Sequence, residues 1–439
     1  MANRIYLCLA HMSEAGLEQK YIQEAFDTNW VAPLGPNVNG FEEDLKAFVG
    51  QGKEVVALIT GTAAVHLSLI VCGVEPGDEV ITQSFTFCAS AHPVTYLGAT
   101  PVFVDSEKET WNMDPDLLEE AIKDRIAKTG KKPKVIMPVA LYGMPYQIDR
   151  ILEIANRYDI PVIEDAAEGF GSRYDGQVLG TFGRYGILSF NGNKMITTSG
   201  GGALICPNKE EGERVMWYAT QARESYPYYQ HETIGYNYRM SNICAGIGRG
   251  QMTIVNEHIA HHQHVHQLYV ELFSKIDGIE VHSQPANGRY ASNYWLTSIT
   301  IDENLKIKGQ ENAYKEIITS PVGGVPAVIH AASSARTDCQ PNDNVEALRM
   351  ALEKAGIESR PLWKPMHKQP VYCRTNEKLG MRNEELSHGI IRQTSATSVA
   401  YVNGVSENIF KKGMCLPAGP WVKDEDVKRI VETIKANII

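Results

Sequence analysis

Short apolar runs alternate with amphipathic stretches over the first half of the chain. Apolar, β-branched runs predict strands, and apolar positions three to four residues apart predict helices. The predicted strands are 55–60, 79–82, 101–105, 135–141 and 161–164. The predicted helices between them are 63–72, 90–97, 116–128 and 148–158. This alternation is typical of an α/β layer with a largely parallel sheet.

Polar segments follow three of these predicted strands. They are Thr60-Gly61-Thr62, Tyr142-Gly143 and Asp165. Ligands of parallel α/β sheets bind beyond the carboxyl ends of the strands, so we expect these segments to meet in one cleft.

The second half of the chain has a different pattern. A long helix is predicted from 250 to 275, followed by a strand at 293–301 and helices at 345–355 and 424–438. This mixture indicates a smaller α+β domain. We therefore expect four parts: an N-terminal segment (1–20) packing on the small domain, a large domain (21–250), the small domain (251–439), and an insertion within it (305–344).

Composition narrows the class of protein. Hydrophobic residues make up 43% of the chain and charged residues 21%, which is ordinary for a soluble globular protein. The net charge of −10 argues against a nucleic-acid binder. No apolar stretch predicts a membrane span or a signal peptide. The eight cysteines are scattered and indicate neither disulfides nor a zinc site, so we expect a cytoplasmic protein without a metal.

Lys194 is the most informative residue of the chain. It lies between Ser189 and a glycine-rich run, 200–202, and it follows Asp165 by 29 residues. Pyridoxal phosphate (PLP) needs a lysine amine, an aspartate for its pyridinium nitrogen and donors for its phosphate. The sequence offers all three in a workable order. Considered alone, Lys194 is more simply explained as a surface lysine beside a glycine-rich turn.

Other candidate cofactor contacts have simpler alternative roles. The Gly61 turn after the first strand is either an anion site at a helix start or an ordinary turn with Thr60 as N-cap. Phe87 is either a ring over the cofactor or a core aromatic. Asp165 is either a helix N-cap or the partner of the pyridinium nitrogen.

Seven ordered motifs together resemble a known enzyme family. The motifs are Thr60-Gly61-Thr62-Ala63-Ala64, Phe85-Thr86-Phe87, Glu164-Asp165-Ala166-Ala167-Glu168, the run Ser189-Phe190 to Lys194, Gly235-Tyr236-Asn237-Tyr238-Arg239-Met240-Ser241, the segment from Glu358 to His367, and Gly413-Met414-Cys415-Leu416-Pro417. The set is similar to the DegT/DnrJ/EryC1/StrS sugar aminotransferases. The resemblance covers nearly the whole chain. It implies the type I aminotransferase fold, whose large domain holds a mostly parallel seven-stranded sheet.

The resemblance also implies roles for individual residues. Lys194 would bind PLP covalently, Asp165 would pair with the pyridinium nitrogen, and Phe87 would stack on the ring. The turn at Gly61, with Thr62, Ala63 and Ser189, would hold the phosphate. Asn237 would reach the phosphate of the other subunit's cofactor, which implies a homodimer. Glu168 stands where many relatives carry Gln or His, so either it is protonated near the cofactor's 3-oxygen or its contact differs.

The resemblance further implies a substrate class. The run Asn191–Lys194 and the segment from Trp363 to His367 most resemble the matching segments of enzymes that aminate C4 of UDP-4-keto-6-deoxy-N-acetylhexosamines. Those enzymes usually take the amino group from glutamate and act in the synthesis of surface sugars. Arg239 and His367 are candidate substrate contacts, with structural roles equally open. The alternatives are a C3 ketone, a GDP- or dTDP-linked sugar, and a non-catalytic PLP or sugar-nucleotide sensor.

Two further features admit structural explanations. The run 256–267 carries five histidines, of which His262 and His266 continue the apolar stripe while the others are expected on the opposite face. We interpret this run as a histidine-rich helix surface and not as a metal site. Trp295 and Trp363 are either core residues, which we favour, or residues that stack on a sugar.

Overall fold

The computed structural model describes residues 4–314, 339–373, 382–386 and 389–439. Its helices are α1 (Leu17–Asp27), α2 (Pro36–Val49), α3 (Gly61–Val71), α4 (His92–Tyr96), α5 (Pro115–Thr129), α6 (Ile148–Arg157), α7 (Lys209–Ala219), α8 (Asn242–Met252), α9 (Val255–Phe273), α10 (Asp343–Lys354), α11 (Val405–Lys412) and α12 (Asp424–Asn437). Its strands are β1 (Glu54–Leu58), β2 (Glu79–Gln83), β3 (Thr100–Val104), β4 (Val135–Met137), β5 (Ile163–Asp165), β6 (Arg173–Tyr174), β7 (Gln177–Val178), β8 (Tyr185–Ser189), β9 (Gly202–Cys206), β10 (Ile279–Val281), β11 (Tyr290–Ala291), β12 (Thr297–Ile301), β13 (Arg360–Pro361), β14 (Arg382–Glu385), β15 (Ile391–Thr394), β16 (Val399–Val402) and β17 (Gly413–Leu416).

A central sheet organises the large domain. Its strand order is β1-β9-β8-β5 on one side and β4-β2-β3 on the other. Parallel bridges from Ile136 to Val162 and from Val139 to Asp165 join the two halves into seven strands. Only the β9 pairings are antiparallel within these seven. The predicted fold class, an α/β layer with a mostly parallel seven-stranded sheet, is confirmed.

One segment departs from the expected domain boundary. Strand β16 pairs in parallel with β3, which places it in the large sheet although it lies within 251–439. All four of its residues are buried, so they contribute to the core of that sheet. Next to it, the Asp105 carboxylate accepts N–H bonds from Asn403, Gly404 and Ser406. Strands β14, β15 and β16 therefore belong to the sheet of the large domain.

The small domain is built on a second sheet, of strand order β10-β12-β17-β13. Its apolar core includes Tyr269 of α9, Leu348 of α10 and Ile430 of α12. Ile5 belongs to the same core and pairs with Ile357. The N-terminal segment thus contacts the small domain by a backbone bridge as well as by apolar packing.

The helix predicted from 250 to 275 is two helices, α8 and α9. The break falls at Thr253 and Ile254, where the Thr253 hydroxyl donates to the Gly250 carbonyl oxygen at 2.6 Å. Such side-chain bonding to the preceding turn competes with continued helix. The apolar spacing continues across the break, which is why the pattern predicted one helix.

Neither of these two helices, nor any other helix of the described residues, is long and apolar enough to cross a membrane.

Two predicted strands are shorter than expected. The strand at 135–141 ends at Met137, since Pro138 has no N–H to continue a ladder. The strand at 293–301 begins only at Thr297, because Tyr294 has a φ of 47°, outside the extended region. Of the insertion expected at 305–344, residues 315–338 lie outside the described part of the chain.

Candidate active site

A cavity of about 310 Å³ opens at the carboxyl ends of β5 and β8. The wall combines the start of α3, the segment after β2, the loop after β8 and two tryptophans from the second half of the chain. The lining residues include Gly61, Thr62, Phe87, Ser90, Asp165, Glu168, Ser189, Lys194, Trp295 and Trp363. Of the segments expected to meet beyond the strand ends, Thr60-Gly61-Thr62 and Asp165 line this cavity, whereas Tyr142-Gly143 does not.

Lys194 projects into this cavity from the loop after β8. Its backbone N–H donates to the Asn191 carbonyl oxygen, which closes a turn just before it. Its Nζ lies 3.6 Å from Glu168 Oε1 and 3.9 Å from the centroid of the Trp295 ring. The lysine side chain is mostly buried, with 13% of its surface exposed. The amine is therefore confined between a carboxylate and an aromatic face.

Asp165 ends β5 and is buried on the same cavity wall. Its Oδ2 accepts a hydrogen bond from the Ser90 hydroxyl at 2.6 Å, and its Oδ1 accepts one from the Ala167 N–H at 3.1 Å. Burial raises the pKa of the Asp165 carboxyl, while the Ser90 hydroxyl and the charge of Lys194 lower it. A buried carboxylate with this support can pair with a cationic ring nitrogen.

An anion site lies at the start of α3. The Thr60 hydroxyl accepts the Ala63 N–H at 3.0 Å and caps the helix. The first N–H groups of a helix lack partners within it, and the helix dipole favours an anion there. The Cβ of a residue other than glycine at position 61 would lie 3.0 Å from Ser189 Cβ, so the Ser189 side chain closes against this turn.

Two N–H groups, which can only donate hydrogen bonds, hold the Glu168 carboxylate in place. The Tyr142 N–H donates to its Oε2 at 2.7 Å, and the Trp363 indole N–H donates to its Oε1 at 3.3 Å. The Trp363 backbone N–H in turn donates to the Tyr142 hydroxyl at 2.7 Å. Tyr142 has a φ of 52°, a strained backbone conformation of the kind found at functional sites. Burial raises the pKa of the Glu168 carboxyl, and the charge of Lys194 opposes this effect.

Two aromatic residues lie at the outer side of the cavity. Phe87 is half exposed and its ring centroid lies 5.3 Å from that of Trp363. Phe87 is therefore not a core residue, in contrast to the fully buried Phe85. Trp295 is buried and Trp363 partly so, yet both contribute to the cavity wall. An aromatic surface is thus available above the amine and the carboxylates.

Four of the predicted site residues do not line the cavity of their own chain. The Ala63 N–H is occupied by Thr60, and Asn237 is exposed beside Thr220. Arg239 forms an ion pair with Glu42. His367 is buried, with its Nδ1 2.6 Å from the Ser84 hydroxyl and its Nε2 3.2 Å from Glu407 Oε1. The structure therefore gives both Arg239 and His367 intramolecular partners.

The histidine-rich run differs from the predicted helix surface. His258, His262 and His266 are all buried along α9, so His258 joins the apolar stripe instead of facing the opposite side. The exposed His264 pairs with Asp424. No group of three or more His, Cys, Asp or Glu side chains that could hold a metal ion occurs in the part of the chain that the structure describes.

Sequence reasoning missed several residues of the cavity. Ser90 is 75 positions from Asp165, and no local pattern marked it. Tyr142 was expected at the cleft because it follows a strand, but the hydrogen bond from its backbone N–H to Glu168 was not predicted. For Trp363 a core role was favoured over stacking on a sugar, although its indole N–H was a signal for a polar partner.

The donor set of the cavity fits PLP. The cofactor requires a lysine amine, a carboxylate for its ring nitrogen, an anion site for its phosphate and a flat apolar surface for its ring. Lys194, Asp165, the Gly61 turn with Ser189, and Phe87 offer these groups around a single cavity. The close approach of Ser189 to Gly61 leaves a narrow cradle of the kind that a phosphate requires.

Comparison with known proteins agrees with this geometry. The family model described as the DegT/DnrJ/EryC1/StrS aminotransferase family matches residues 13–319. The putative pyridoxal phosphate-dependent aminotransferase EpsN of Bacillus subtilis is 40% identical, over 99% of this chain and 96% of that protein. The GDP-perosamine synthase of Escherichia coli O157:H7 is 30% identical, over 98% of each chain.

A solved structure agrees at the level of the fold as well. A DegT/DnrJ/EryC1/StrS aminotransferase from Brucella abortus superposes with a TM-score of 0.76 at 26% identity, covering 96% of this chain and 95% of that one. The family match covers more than half of the chain, and the relatives cover nearly all of it. The protein belongs to the DegT/DnrJ/EryC1/StrS aminotransferase family and is a PLP-dependent sugar aminotransferase.

Proposed function

We propose that this enzyme transfers an amino group from glutamate to C4 of a UDP-linked 4-keto-6-deoxy-N-acetylhexosamine, in the synthesis of surface-glycan amino sugars. The observation that carries the aminotransferase chemistry is the meeting of Lys194, Asp165 and the α3 anion site in one cavity. The choice of sugar rests on the resemblance of the Asn191–Lys194 and Trp363–His367 segments to C4-aminating enzymes.

The residues of the cavity have separate tasks in this proposal. PLP, when bound, supplies the electron sink and carries the amino group between the two substrates. Lys194 Nζ would bind the cofactor and, when the lysine is free, would accept and return the proton that moves during transamination. Asp165 keeps the ring nitrogen protonated. The N–H groups of Gly61 and Thr62 and the Ser189 hydroxyl bind the phosphate, and Phe87 covers the ring.

A GDP-linked 4-keto sugar is the second candidate substrate. One relative, at 30% identity over 98% of this chain, is named a GDP-perosamine synthase. Both candidates have the ketone at C4, so the same cavity chemistry serves either one. The two candidates differ in the nucleotide and in the N-acetyl group. Sugars with a C3 ketone and dTDP-linked sugars are the remaining alternative substrates.

A panel of keto-sugars tests the proposal directly. Purified protein, PLP and glutamate are mixed with UDP-, GDP- or dTDP-linked keto-sugars, and the amino sugar is identified by mass and NMR. We expect amination of the UDP-linked 4-keto-N-acetylhexosamine with the highest kcat/KM. A higher kcat/KM for the GDP-linked sugar would replace the first candidate by the second. Absence of amine with every sugar would contradict the proposal.

We also propose that the enzyme is a cytoplasmic homodimer in which Asn237 reaches the partner subunit's cofactor. Asn237 is exposed and away from its own cavity. Exposed apolar side chains lie near it, since Ile59 and Ile234 flank the 235–239 segment and the Ile59 N–H donates to the Tyr238 carbonyl oxygen. A large exposed apolar surface is typical of a subunit interface. Light scattering tests the dimer, and Asn237→Ala should weaken PLP binding without changing the mass.

One substitution distinguishes the aminotransferase from the alternative of a non-catalytic sensor. Lys194→Ala removes the amine that must bind the cofactor and move protons. We expect this variant to fold and to bind the nucleotide sugar, while its transamination rate falls to the background of the assay. Retained transamination in the variant would contradict the role of Lys194.

A further inference from the structure

A buried histidine of α9 contacts the loop that carries Lys194. His258 is 4% exposed, and its Nδ1 lies 3.0 Å from the Met195 carbonyl oxygen. A carbonyl oxygen can only accept a hydrogen bond, so Nδ1 carries the hydrogen and donates it. Met195 directly follows Lys194 in the chain. The imidazole therefore holds the backbone one residue beyond the amine of the site.

We call residues 191–197, which lie between β8 and β9, the lysine loop. Two side chains from the second half of the chain bind its backbone on either side of Lys194. The Trp295 indole N–H donates to the Asn193 carbonyl oxygen before the lysine, and the His258 imidazole donates to the carbonyl oxygen after it. Backbone groups outside helices and strands depend on such partners for their hydrogen bonds. The two bonds therefore fix the backbone from which the Lys194 side chain extends.

His258 is itself held in one orientation. Its backbone N–H donates to the Ile254 carbonyl oxygen at 3.0 Å, and its ring packs edge-on against that of His11, with 5.6 Å between the ring centroids. Burial lowers the pKa of the His258 imidazole, and the bond to the Met195 carbonyl opposes this effect only in part. The ring is therefore neutral at neutral pH, and its single N–H is used in the bond to Met195.

The link between His258 and the cofactor runs through the backbone. His258 does not line the cavity, whereas the Lys194 side chain extends into it and is 13% exposed. A lysine amine ends a flexible four-carbon stem, so its position depends on where the backbone holds the base of that stem. A bond forms readily only when the two reacting atoms are held in the right geometry. Loss of the bond to Met195 should therefore reduce the fraction of time that the amine is in place.

We propose that His258 is a positioning residue for Lys194. Its Nδ1–H fixes the Met195 carbonyl group and thereby keeps the lysine amine where it can bond to the aldehyde carbon of PLP. In that reaction the amine nitrogen forms a double bond to the aldehyde carbon, and its two hydrogens leave with the aldehyde oxygen as water. His258 gives up no proton and contacts no reacting atom. This inference rests on the proposed attachment of PLP to Lys194.

Two ligands separate a positioning role from a general structural one. PLP bonds to the lysine amine, whereas pyridoxine phosphate has an alcohol in place of the aldehyde and can use only the ring and phosphate contacts. Titration of the cofactor-free protein gives both dissociation constants, and we call the ratio of the pyridoxine phosphate constant to the PLP constant the aldehyde selectivity.

His258→Phe keeps a buried ring at this position and removes the N–H. We expect the aldehyde selectivity to fall about fivefold, because one hydrogen bond that holds the amine in place is lost. Binding of pyridoxine phosphate should change little, since it does not use the amine. An equal weakening of both ligands, or no weakening of either, would overturn the inference.

His258→Asn is the rescue variant, because the amide nitrogen of asparagine can take the position of Nδ1 and donate to the Met195 carbonyl oxygen. We expect its aldehyde selectivity to stay within about twofold of the wild-type value, although the ring is lost. A selectivity as low as that of His258→Phe would overturn the inference.

His266→Phe is the matched control. His266 is 3% exposed on the same helix, and its Nε2 lies 3.1 Å from the Ser283 hydroxyl, outside the lysine loop. Its substitution should leave the aldehyde selectivity at the wild-type value. A loss as large as that of His258→Phe would assign the effect to the packing of α9 as a whole and would overturn the inference.

An NMR measurement on the wild type keeps the test independent of variant folding. In protein that is isotope-labelled at the histidine ring nitrogens, long-range hydrogen–nitrogen correlations show which nitrogen carries the hydrogen. The His258 ring, assigned through its own backbone signals, should carry it on Nδ1. A hydrogen on Nε2 alone would leave no donor for the Met195 carbonyl oxygen and would overturn the inference.

Borohydride reduction followed by peptide mass mapping checks separately that PLP is attached to Lys194. A failure of that attachment would refute the proposed role of Lys194. Intact attachment with unchanged aldehyde selectivity in His258→Phe would refute only the role of His258.

Discussion

The ring of Trp295 lies against the amine of Lys194, with 3.9 Å between Nζ and the ring centroid. The indole N–H of the same tryptophan donates to the Asn193 carbonyl oxygen at 2.6 Å. One side chain therefore holds the backbone just before the lysine and also contacts its nitrogen. Because Trp295 comes from the second half of the chain, the position of the amine depends on how the two halves pack.

This relationship predicts the effect of Trp295→Phe. The variant keeps an aromatic face but loses the hydrogen bond to Asn193, so the lysine loop is held less firmly. We expect the PLP dissociation constant to rise about fivefold, since a buried hydrogen bond contributes about 1 kcal/mol. Titration followed by the visible absorbance of bound PLP measures it. Trp421→Phe is the control, because the Trp421 indole N–H donates to Ala10 outside the cavity. An unchanged constant in Trp295→Phe would refute the contribution of this contact.

Ser90→Ala should weaken the pairing between the Asp165 carboxylate and the ring nitrogen of the cofactor. The Ser90 hydroxyl donates to Oδ2 at 2.6 Å, and its loss raises the pKa of the Asp165 carboxyl further above its usual value. Because protonation of Asp165 competes with pairing to the ring nitrogen, we expect PLP affinity to fall about tenfold at neutral pH and more as the pH falls.

The measurement is a PLP titration at several pH values. Ser68→Ala is the matched control, since Ser68 is equally buried but donates only to the Val65 carbonyl oxygen within α3. A Ser90→Ala loss that stays constant with pH would show that the hydroxyl acts by packing alone.

The sequence predicted the site residues that lie at a recognisable local motif. Lys194, Asp165 and the Gly61 turn each follow a strand end or a glycine-rich run, and a parallel sheet brings such positions together. The hydrogen bonds of Ser90 and Trp363 were not predicted because each reaches a carboxylate far away in the chain, at 75 and 195 positions. The spacing of apolar residues along the chain does not indicate which distant side chain accepts a given hydrogen bond.

The same limit applies to β16 and to Arg239. Strand β16 was not among the predicted strands, and no local pattern indicates that it pairs with β3, almost 300 positions earlier. The sequence left the role of Arg239 open between a substrate contact and a structural one, because its partner, Glu42, lies 197 positions away. Apolar patterns thus predicted most elements of the first half, whereas the assembly of elements across the chain required the structure.

Arg239→Gln is expected to act on stability and not on substrate binding. The guanidinium and the Glu42 carboxylate are both largely buried, and Glu42 also accepts the Ala57 N–H at 2.8 Å. Removing one partner of a buried pair leaves the other charge uncompensated, at a cost of about 3 kcal/mol. Urea unfolding measures this loss. Arg239→Gln combined with Glu42→Gln should recover part of it, and the KM for the keto-sugar should stay within about twofold of the wild type in both variants. A large rise in KM without loss of stability would restore Arg239 as a substrate contact.

The buried histidines of α9 predict how stability changes with pH. Burial lowers the pKa of His262 to about 3 and that of His266 to about 4, from an ordinary value of 6.5. Between pH 6.5 and about 4 the unfolded chain therefore binds more protons than the folded one, and stability falls as the pH falls. Each such histidine contributes about 1.4 kcal/mol per pH unit in this window.

His266→Gln isolates one of these contributions. Its ring stacks on Tyr294 at 3.6 Å, so the variant loses stability at pH 7.5, but it no longer needs to stay neutral as the pH falls. Between pH 6.5 and 5 we expect the free energy of unfolding to fall about 2 kcal/mol less in this variant than in the wild type. Urea titrations at the two pH values measure the difference, with the exposed His264→Gln as control. Parallel pH curves for His266→Gln and the wild type would mean that His266 can bind its proton in the folded protein, against the burial that the structure shows.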